Sequence, residues 1–392
     1  MLHVALFADS YHEVNGVALT CRSLEAFAER RGYPLLSVHT GPETHCWDQG
    51  SVRRVELAVS RTSFWLEADM RFDLRCLRHR PLLTAELERL QPDVVHVTGP
   101  SHLGILGVWA ARRFQVPLVA SWHTNVHEYA GRRLRQKLNW LPEGIAAATA
   151  RAAEGTSLLA TTRFYRFAQR TLAPNPELTA LLERMTGRPS ALMKRGVDIV
   201  LYHPSKRKRS DDLVRIGFAG RLSPEKGVRW FQTVEDELER QGLTHYEIWI
   251  AGHGQEEEWL RRNLRRGHLA GVLKGEPLAE FYANLDIFSF PSETDTYGNV
   301  IQEAMASGVP CVVTGGGGPK FLVREGVDGL VGATPQVFSR HCARMVRDAD
   351  LRSAMSRRAR ESAEAATWDR VFEGVWEVYD AACAAGSPAA VA

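Results

Sequence analysis

The stretch VRIGFAGRLSPEKGVRWFQTVEDELER (214–240) decides the fold. It opens on a short apolar run, VRIGFAG (214–220), breaks at a loop of glycine, proline and mixed charge, AGRLSPEKG (219–227), and resumes with helical spacing from Gly227 to Arg240. A buried strand that feeds a helix through a tight loop is the repeating unit of a parallel sheet. Further apolar runs follow at HYEIWIAG (245–252), GVLKG (271–275), DIFSFPS (286–292) and PCVVT (310–314), and each is expected to be a strand. The first half repeats the grammar. LHVALFAD (2–9), PLLSVHT (34–40), DVVHVTG (93–99) and PLVASWHT (117–124) read as strands, with helices at LTCRSLEAFAERR (19–31) and HLGILGVWAARRF (102–114).

The expected architecture is α/β, with two Rossmann-like, doubly wound parallel-sheet domains facing a cleft. A chain of 392 residues is too long for one domain of ordinary size. The polar stretch HPSKRKRSDD (203–212) suits a linker, which divides the chain into domains 1–203 and 204–366. TWDRVFEGVWEVYDAA (367–382) carries amphipathic spacing and places a helix over 367–384, ahead of an expected disordered tail, 385–392.

Composition narrows the class. Hydrophobic residues at 44% and charged residues at 24% describe a globular chain, and a net charge of +3 argues against a nucleic-acid-binding surface. The six cysteines lie far apart with no C-x-x-C pair, so reduced thiols in a cytoplasmic setting are the simplest expectation. The start MLHVALFADSYHEVNG has no basic region followed by a long apolar core, and no apolar run approaches bilayer length. Attachment to the inner face of a membrane would be peripheral.

In doubly wound folds ligands bind beyond the carboxyl ends of the strands, so four loops carry the chemistry. In DSYHEVNGVALT (9–20), Gly16 before a helix lets a phosphate approach backbone amides, although taken alone a plain tight turn is the readier explanation. In SWHTN (121–125), His123 closes a strand, where a structural histidine is the plainer alternative. In AGRLSPEKG, Arg221 and Lys226 meet a helix start and suit a diphosphate, against a surface salt-bridge loop. Neither a G-x-G-x-x-G nor a Walker spacing is present. PSETDTYGNVIQEAMASGVP (291–310) sets Asp295 in a loop and Glu303 in the helix after it, so both carboxylates are expected to face one ligand and accept from sugar hydroxyls. Helix capping by Asp295 and a solvated Glu303 explain each acid singly but not the string.

These motifs resemble family 4 glycosyltransferases, a large retaining group with the GT-B fold, and the likeness spans roughly residues 1–375. The acid-x7-acid motif reads Asp295-x7-Glu303, with aspartate where glutamate is usual, which is similar to branches acting on lipid and phosphoinositol acceptors. Glu13-Val14-Asn15-Gly16-Val17, His123-Thr124-Asn125, Arg195-Gly196-Val197-Asp198, Gly220-Arg221 with Glu225-Lys226-Gly227, and Gly252-x-Gly254 match in order. The resemblance implies that Arg221 and Lys226 hold the donor diphosphate with help from the Gly16 amide. Gly220 and Gly254 line the donor site, Glu303 takes the ribose, and Asp295 takes the sugar hydroxyls. The backbone of Tyr297, Gly298, Asn299 and Val300 supports phosphate and sugar, and His123 sits at the reaction centre.

The resemblance further implies a metal-independent, retaining hexosyl transfer from a UDP- or GDP-sugar, with no cofactor. The acceptor is expected to be a lipid, a lipid-linked molecule or another glycan, and the terminal helix is expected to cross back to the N-terminal domain. On the acceptor side, SFWLEADMRFDLRCLRHRPLL (63–83) could put Arg71, Arg75 and Arg78 on one helix face, with YAGRRLRQKLNWL (129–141) as a second basic-apolar segment for an anionic membrane or headgroup. A solvated helix face is the plainer reading. The alternatives to a glycosyltransferase are a nucleotide-sugar epimerase or phosphorylase of the same fold, or a catalytically silent sugar-binding scaffold.

Overall fold

The computed structural model describes the chain apart from residues 14, 61, 68–69, 124–142 and 387–392, and for residues 64–67, 70–71, 143 and 145–147 it describes the backbone alone. Thr124, Asn125, Val14, the basic segment 129–141 and most of the expected tail lie outside the described residues. The chain forms two compact units. The first takes Met1–Lys194 and the C-terminal segment from Phe372, and the second takes Arg195–Val371.

The first unit is built on ten strands: β1 (Val4–Phe7), β2 (Leu35–Gly41), β3 (His45–Gln49), β4 (Val52–Ala58), β5 (Phe64–Glu67), β6 (Met70–Phe72), β7 (Val94–Val97), β8 (Leu118–Ser121), β9 (Arg170–Ala173) and β10 (Ser190–Leu192). Eight of them make a sheet in the order β10-β9-β8-β7-β1-β2-β4-β3, and β5 and β6 form a separate antiparallel pair. The eight-stranded sheet is parallel except for β3, which runs antiparallel to β4. Its central strands are fully buried, as their unbroken apolar runs require.

The second unit holds β11 (Val214–Ala219), β12 (Tyr246–Ala251), β13 (Gly267–Gly271), β14 (Ile287–Phe290), β15 (Cys311–Thr314) and β16 (Gly329–Gly332), all parallel, in the order β13-β12-β11-β14-β15-β16. In each sheet the winding direction reverses beside the first strand, between β1 and β7 and between β11 and β14. Loops that leave neighbouring strands at such a switch point diverge and open a crevice. The loops in question are 8–15 and 98–101 in the first unit, and 220–227 and 291–298 in the second.

Four expectations need correction. GVLKG (271–275) is not a strand. The edge strand β13 ends at Gly271, and a helix, Gly275–Ala283, begins where a strand was expected to end. Being alternately exposed, β13 lacks the continuous apolar run used to find the others. The first helix starts at Gly16, not 19, because the Asn15 side chain caps it by accepting from the Val17 and Ala18 amides. Arg71, Arg75 and Arg78 share no helix face. Arg71 lies on β6, Arg75 precedes a 3-10 turn and Arg78 sits within that turn, where it donates to Asp73 at 2.9 Å. Finally, 203–212 does not join the units but lies inside the second. Arg207 and Arg209 bind the two oxygens of Asp286 at 2.8 and 2.7 Å, which anchors the segment to the second unit.

The last helix, Trp368–Ala384, reaches the first unit from Phe372 on. Its aromatic side chains pack on that unit: the Phe27 ring lies 5.6 Å from Phe372 and 5.3 Å from Trp376. Phe372 and Tyr379 are completely buried, each worth roughly 2–3 kcal/mol of apolar burial.

Candidate active site

The loops after β11 and β14 meet. Lys226 closes a 3-10 turn, Pro224–Lys226, and its Nζ donates to both oxygens of Asp295 at 2.7 and 2.8 Å. The ammonium also lies 5.7 Å from the Phe290 ring centroid. Burial would raise the Asp295 pKa, but the Lys226 charge and hydrogen bonds, helped by Ser292 and Arg221, outweigh it and hold the carboxyl below its usual range. Arg221 itself is exposed, and its charge is felt at Asp295.

Glycines make this approach possible. Gly227 has φ of 65°, and a Cβ there would fall 2.2 Å from the Pro291 carbonyl oxygen. The loop after β12 is laced to the same place: Leu222 donates to the His253 carbonyl at 3.0 Å and accepts from Glu256 at 3.0 Å. A Cβ on Gly254 would come 2.3 Å from the Leu222 oxygen. Gly220 and Gly254 are therefore where backbones touch.

Tyr297 and Gly298 lead into the helix Asn299–Ala306, which begins with Asn299 and Val300. Tyr297 is buried and donates to the Arg195 carbonyl at 3.2 Å, so its hydroxyl is structural. Glu303 lies one turn into the helix in a different setting from Asp295. Tyr282 donates to it at 2.9 Å, and burial pushes its carboxyl up to about 7 against the opposing pull of the Tyr282 and Tyr202 hydroxyls. The ion pair thus separates the two acids: Asp295 stays ionised beside a cation, and Glu303 titrates near neutrality. If Glu303 takes the donor ribose, donor KM should fall as pH rises from about 6 to 8, since only the ionised carboxylate can accept from both hydroxyls. Glu303→Gln should flatten that slope, and an unchanged slope in the variant would remove Glu303 from ribose binding.

In the first unit the loop after β1 is firmly built. Ser101 and Thr98 anchor Asp9, with the Asp9 amide donating to Thr98 Oγ1 at 2.8 Å, and burial pushes the Asp9 carboxyl up to about 7. Glu13 accepts from the Ser10 hydroxyl at 2.7 Å and the Tyr11 amide at 2.8 Å. Gly16 opens the helix that follows. His123 is buried just beyond β8, with Nε2 2.6 Å from Ser121 Oγ. The same hydroxyl lies 2.9 Å from His96 Nε2, and His96 Nδ1 lies 2.7 Å from the Tyr379 hydroxyl. The Arg75 amide and the Arg78 guanidinium donate to Asp73 at 2.8 and 2.9 Å; the side chain of Arg71 lies outside the described residues.

Sequence reading missed Ser121, His96 and Tyr379, which position His123. Separation along the chain hides His96 and Tyr379, since only the fold brings Tyr379 to His96 and His96 to Ser121. It also missed the run Gly315–Gly318, whose backbone lies against the Asp295 loop: Gly318 donates to the Asp295 carbonyl at 2.7 Å. Four consecutive glycines after a strand were the available signal.

Two family models match the chain: "Glycosyltransferase Family 4" over residues 14–201 and "Glycosyl transferases group 1" over 214–348. The chain is 32% identical over 259 residues to a GDP-mannose-dependent alpha-mannosyltransferase of Corynebacterium glutamicum, covering 64% of this chain but only 58% of that protein. It is 31% identical to the protein of the same description from Mycobacterium tuberculosis, covering 84% of this chain and 83% of that one. Among solved structures, sucrose-phosphate synthase from Thermosynechococcus elongatus superposes with a TM-score of 0.73 at 15% identity, over 98% of this chain and all of that one, which is a likeness of fold. The chain belongs to the family 4 glycosyltransferases and has their GT-B fold.

Proposed function

We propose that this glycosyltransferase moves mannose from GDP-mannose to a lipid or lipid-linked acceptor, retaining the anomeric configuration and using no metal ion at the diphosphate. One observation carries the reading: Lys226, gripped by both oxygens of Asp295, stands with Arg221 where two strand-end loops meet. As GDP leaves, negative charge grows on the diphosphate. Arg221 and Lys226 stabilise it, and because Asp295 has already oriented the ammonium, little reorganisation is needed at the moment of reaction. The trio carries one net positive charge, which favours an anionic donor over a neutral sugar.

Gly16, Gly220, Gly254 and the Tyr297–Val300 backbone serve the donor in this proposal, Glu303 holds the ribose, and Asp295 also accepts from the transferred sugar. His123 keeps the part that the family motif gives it, acting on that sugar. GDP rather than UDP is favoured by the descriptions of the two mannosyltransferase relatives. The location proposed is cytoplasmic, with peripheral contact to an anionic membrane; no helix among the described residues is long and apolar enough to cross one.

The test is a donor panel with membrane-lipid extract as acceptor, run in EDTA, with the product's anomeric linkage read by NMR. GDP-mannose should yield an α-mannoside at an undiminished rate. Turnover of UDP-sugars alone would move the donor to the uridine class, and loss of activity in EDTA would sink metal independence.

A further inference from the structure

In the first unit, three neighbouring strands and one loop bring imidazoles onto a single carboxylate. His39 on β2 and His45 on β3 both stand in register with Glu56 on β4, so the three side chains leave the same face of the sheet. His12 reaches them from the loop after β1, its Nε2 2.8 Å from Glu56 Oε2. His39 Nδ1 lies 3.7 Å from that same oxygen, and His45 Nδ1 lies 3.8 Å from the other one. The ligand atoms of His12, His39 and Glu56 all fall within 4.8 Å of one another.

The contact with Glu56 accounts for His12. It does not account for His39. That ring is completely buried, stacked on Tyr11 at 3.9 Å, and neither of its nitrogens has a hydrogen-bond partner among the described residues. A buried polar group left unsatisfied destabilises the fold, and a phenylalanine would avoid that penalty. The carboxylate, too, has a place prepared for it: a Cβ on Gly41 would fall 1.9 Å from Glu56 Cδ, so only glycine there leaves it room.

We propose that His12 Nε2, His39 Nδ1 and Glu56 Oε2 bind one divalent transition-metal ion of the zinc class, with water completing the shell. In a tetrahedral site with bonds of about 2.0–2.1 Å, ligand atoms stand about 3.3 Å apart. The observed 2.8 and 3.7 Å bracket that spacing. Two imidazoles with one carboxylate suit zinc, cobalt or nickel, whereas calcium and magnesium take oxygen ligands. The ion ties the loop after β1 to β2 and β4, fixing the segment that caps the Gly16 helix. Its ligands are none of the residues assigned to the donor, so it is a clasp and takes no part in the transfer.

The experiment uses untagged, full-length protein stripped with EDTA and titrated with zinc chloride by calorimetry, and with cobalt(II) by visible absorption. Wild type should bind one equivalent and give the d–d bands of four-coordinate cobalt. His12→Ala, at an exposed position, should weaken zinc at least about tenfold. His39→Phe should abolish binding, yet in metal-free form melt no lower than wild type, and zinc should raise the melting temperature of wild type alone. Failure of wild type to bind one equivalent, or equal zinc affinity in wild type and His12→Ala, overturns the proposal.

Discussion

Lys226→Ala is expected to lower kcat by about 10²–10³-fold, the loss that follows when one preorganised donor to a developing anion is removed. The fold should survive, because Lys226 closes a short 3-10 turn outside the sheet and is no part of the fully buried core. Two effects combine in this variant. The diphosphate loses a cation, and Asp295 loses the partner that keeps its charge compensated. A bare carboxylate then faces the incoming phosphates. For that reason the double variant Lys226→Ala/Asp295→Asn should be less impaired than the product of its single losses, with a coupling of roughly 0.5–3 kcal/mol. Single-turnover rates of the four proteins, with melting curves to confirm folding, check this. Additive losses would mean that the ion pair is incidental to the diphosphate.

Gly252→Ala is expected to cost stability on the order of 2–4 kcal/mol, among the larger effects for a single added methyl. The reason is local. Gly252 has φ of 141°, a region that L side chains rarely adopt, and an added Cβ would fall 1.9 Å from the Gly220 carbonyl oxygen. Both groups are backbone, so no side chain can swing away. At roughly 2–4 °C per kcal/mol for a domain of this size, the second unit should melt about 5–15 °C lower. Calorimetry resolves this, and a shift below about 2 °C would show that the two loops can separate freely. Because Gly220 precedes Arg221, the donor site should also loosen, raising donor KM in whatever protein remains folded.

The sequence was most legible where burial is complete. β1, β7, β8, β11, β14 and β15 are short apolar runs buried along their length, and reading them as parallel strands placed the strand-end loops correctly. Charged strands were missed. β4 reads VRRVELA, and its arginines are hidden by ion pairs rather than by apolar character: Arg53 with Glu86 at 2.9 Å and Arg54 with Glu25 at 2.7 Å. No hydrophobic periodicity reveals a strand whose burial is compensated by a partner elsewhere in the chain. The basic segment 203–212 misled in the same way, since a run of cations resembles a linker until Asp286 is seen to hold it.

At the site, residue types were legible and pairings were not. The loops 219–227 and 291–298 were singled out for cations and acids, but nothing in their spacing shows that Lys226 grips Asp295 or that Tyr282 donates to Glu303. Those contacts depend on strand order, which places β11 beside β14 and pairs Ile216 with Ile287, 71 positions further along the chain. The chain from His123 through Ser121 and His96 to Tyr379 depends in turn on the final helix returning to the first unit.

The central claim is that Arg221, Lys226 and Asp295 hold a nucleoside diphosphate without a metal ion. Calorimetric titration of GDP into EDTA-treated wild type, Arg221→Ala and Lys226→Ala measures it directly. Binding by wild type with at least about tenfold weaker binding in each variant, roughly 1.4 kcal/mol apiece, is the predicted result. Equal GDP affinity in all three proteins, or wild-type binding only after a divalent ion is restored, would contradict it.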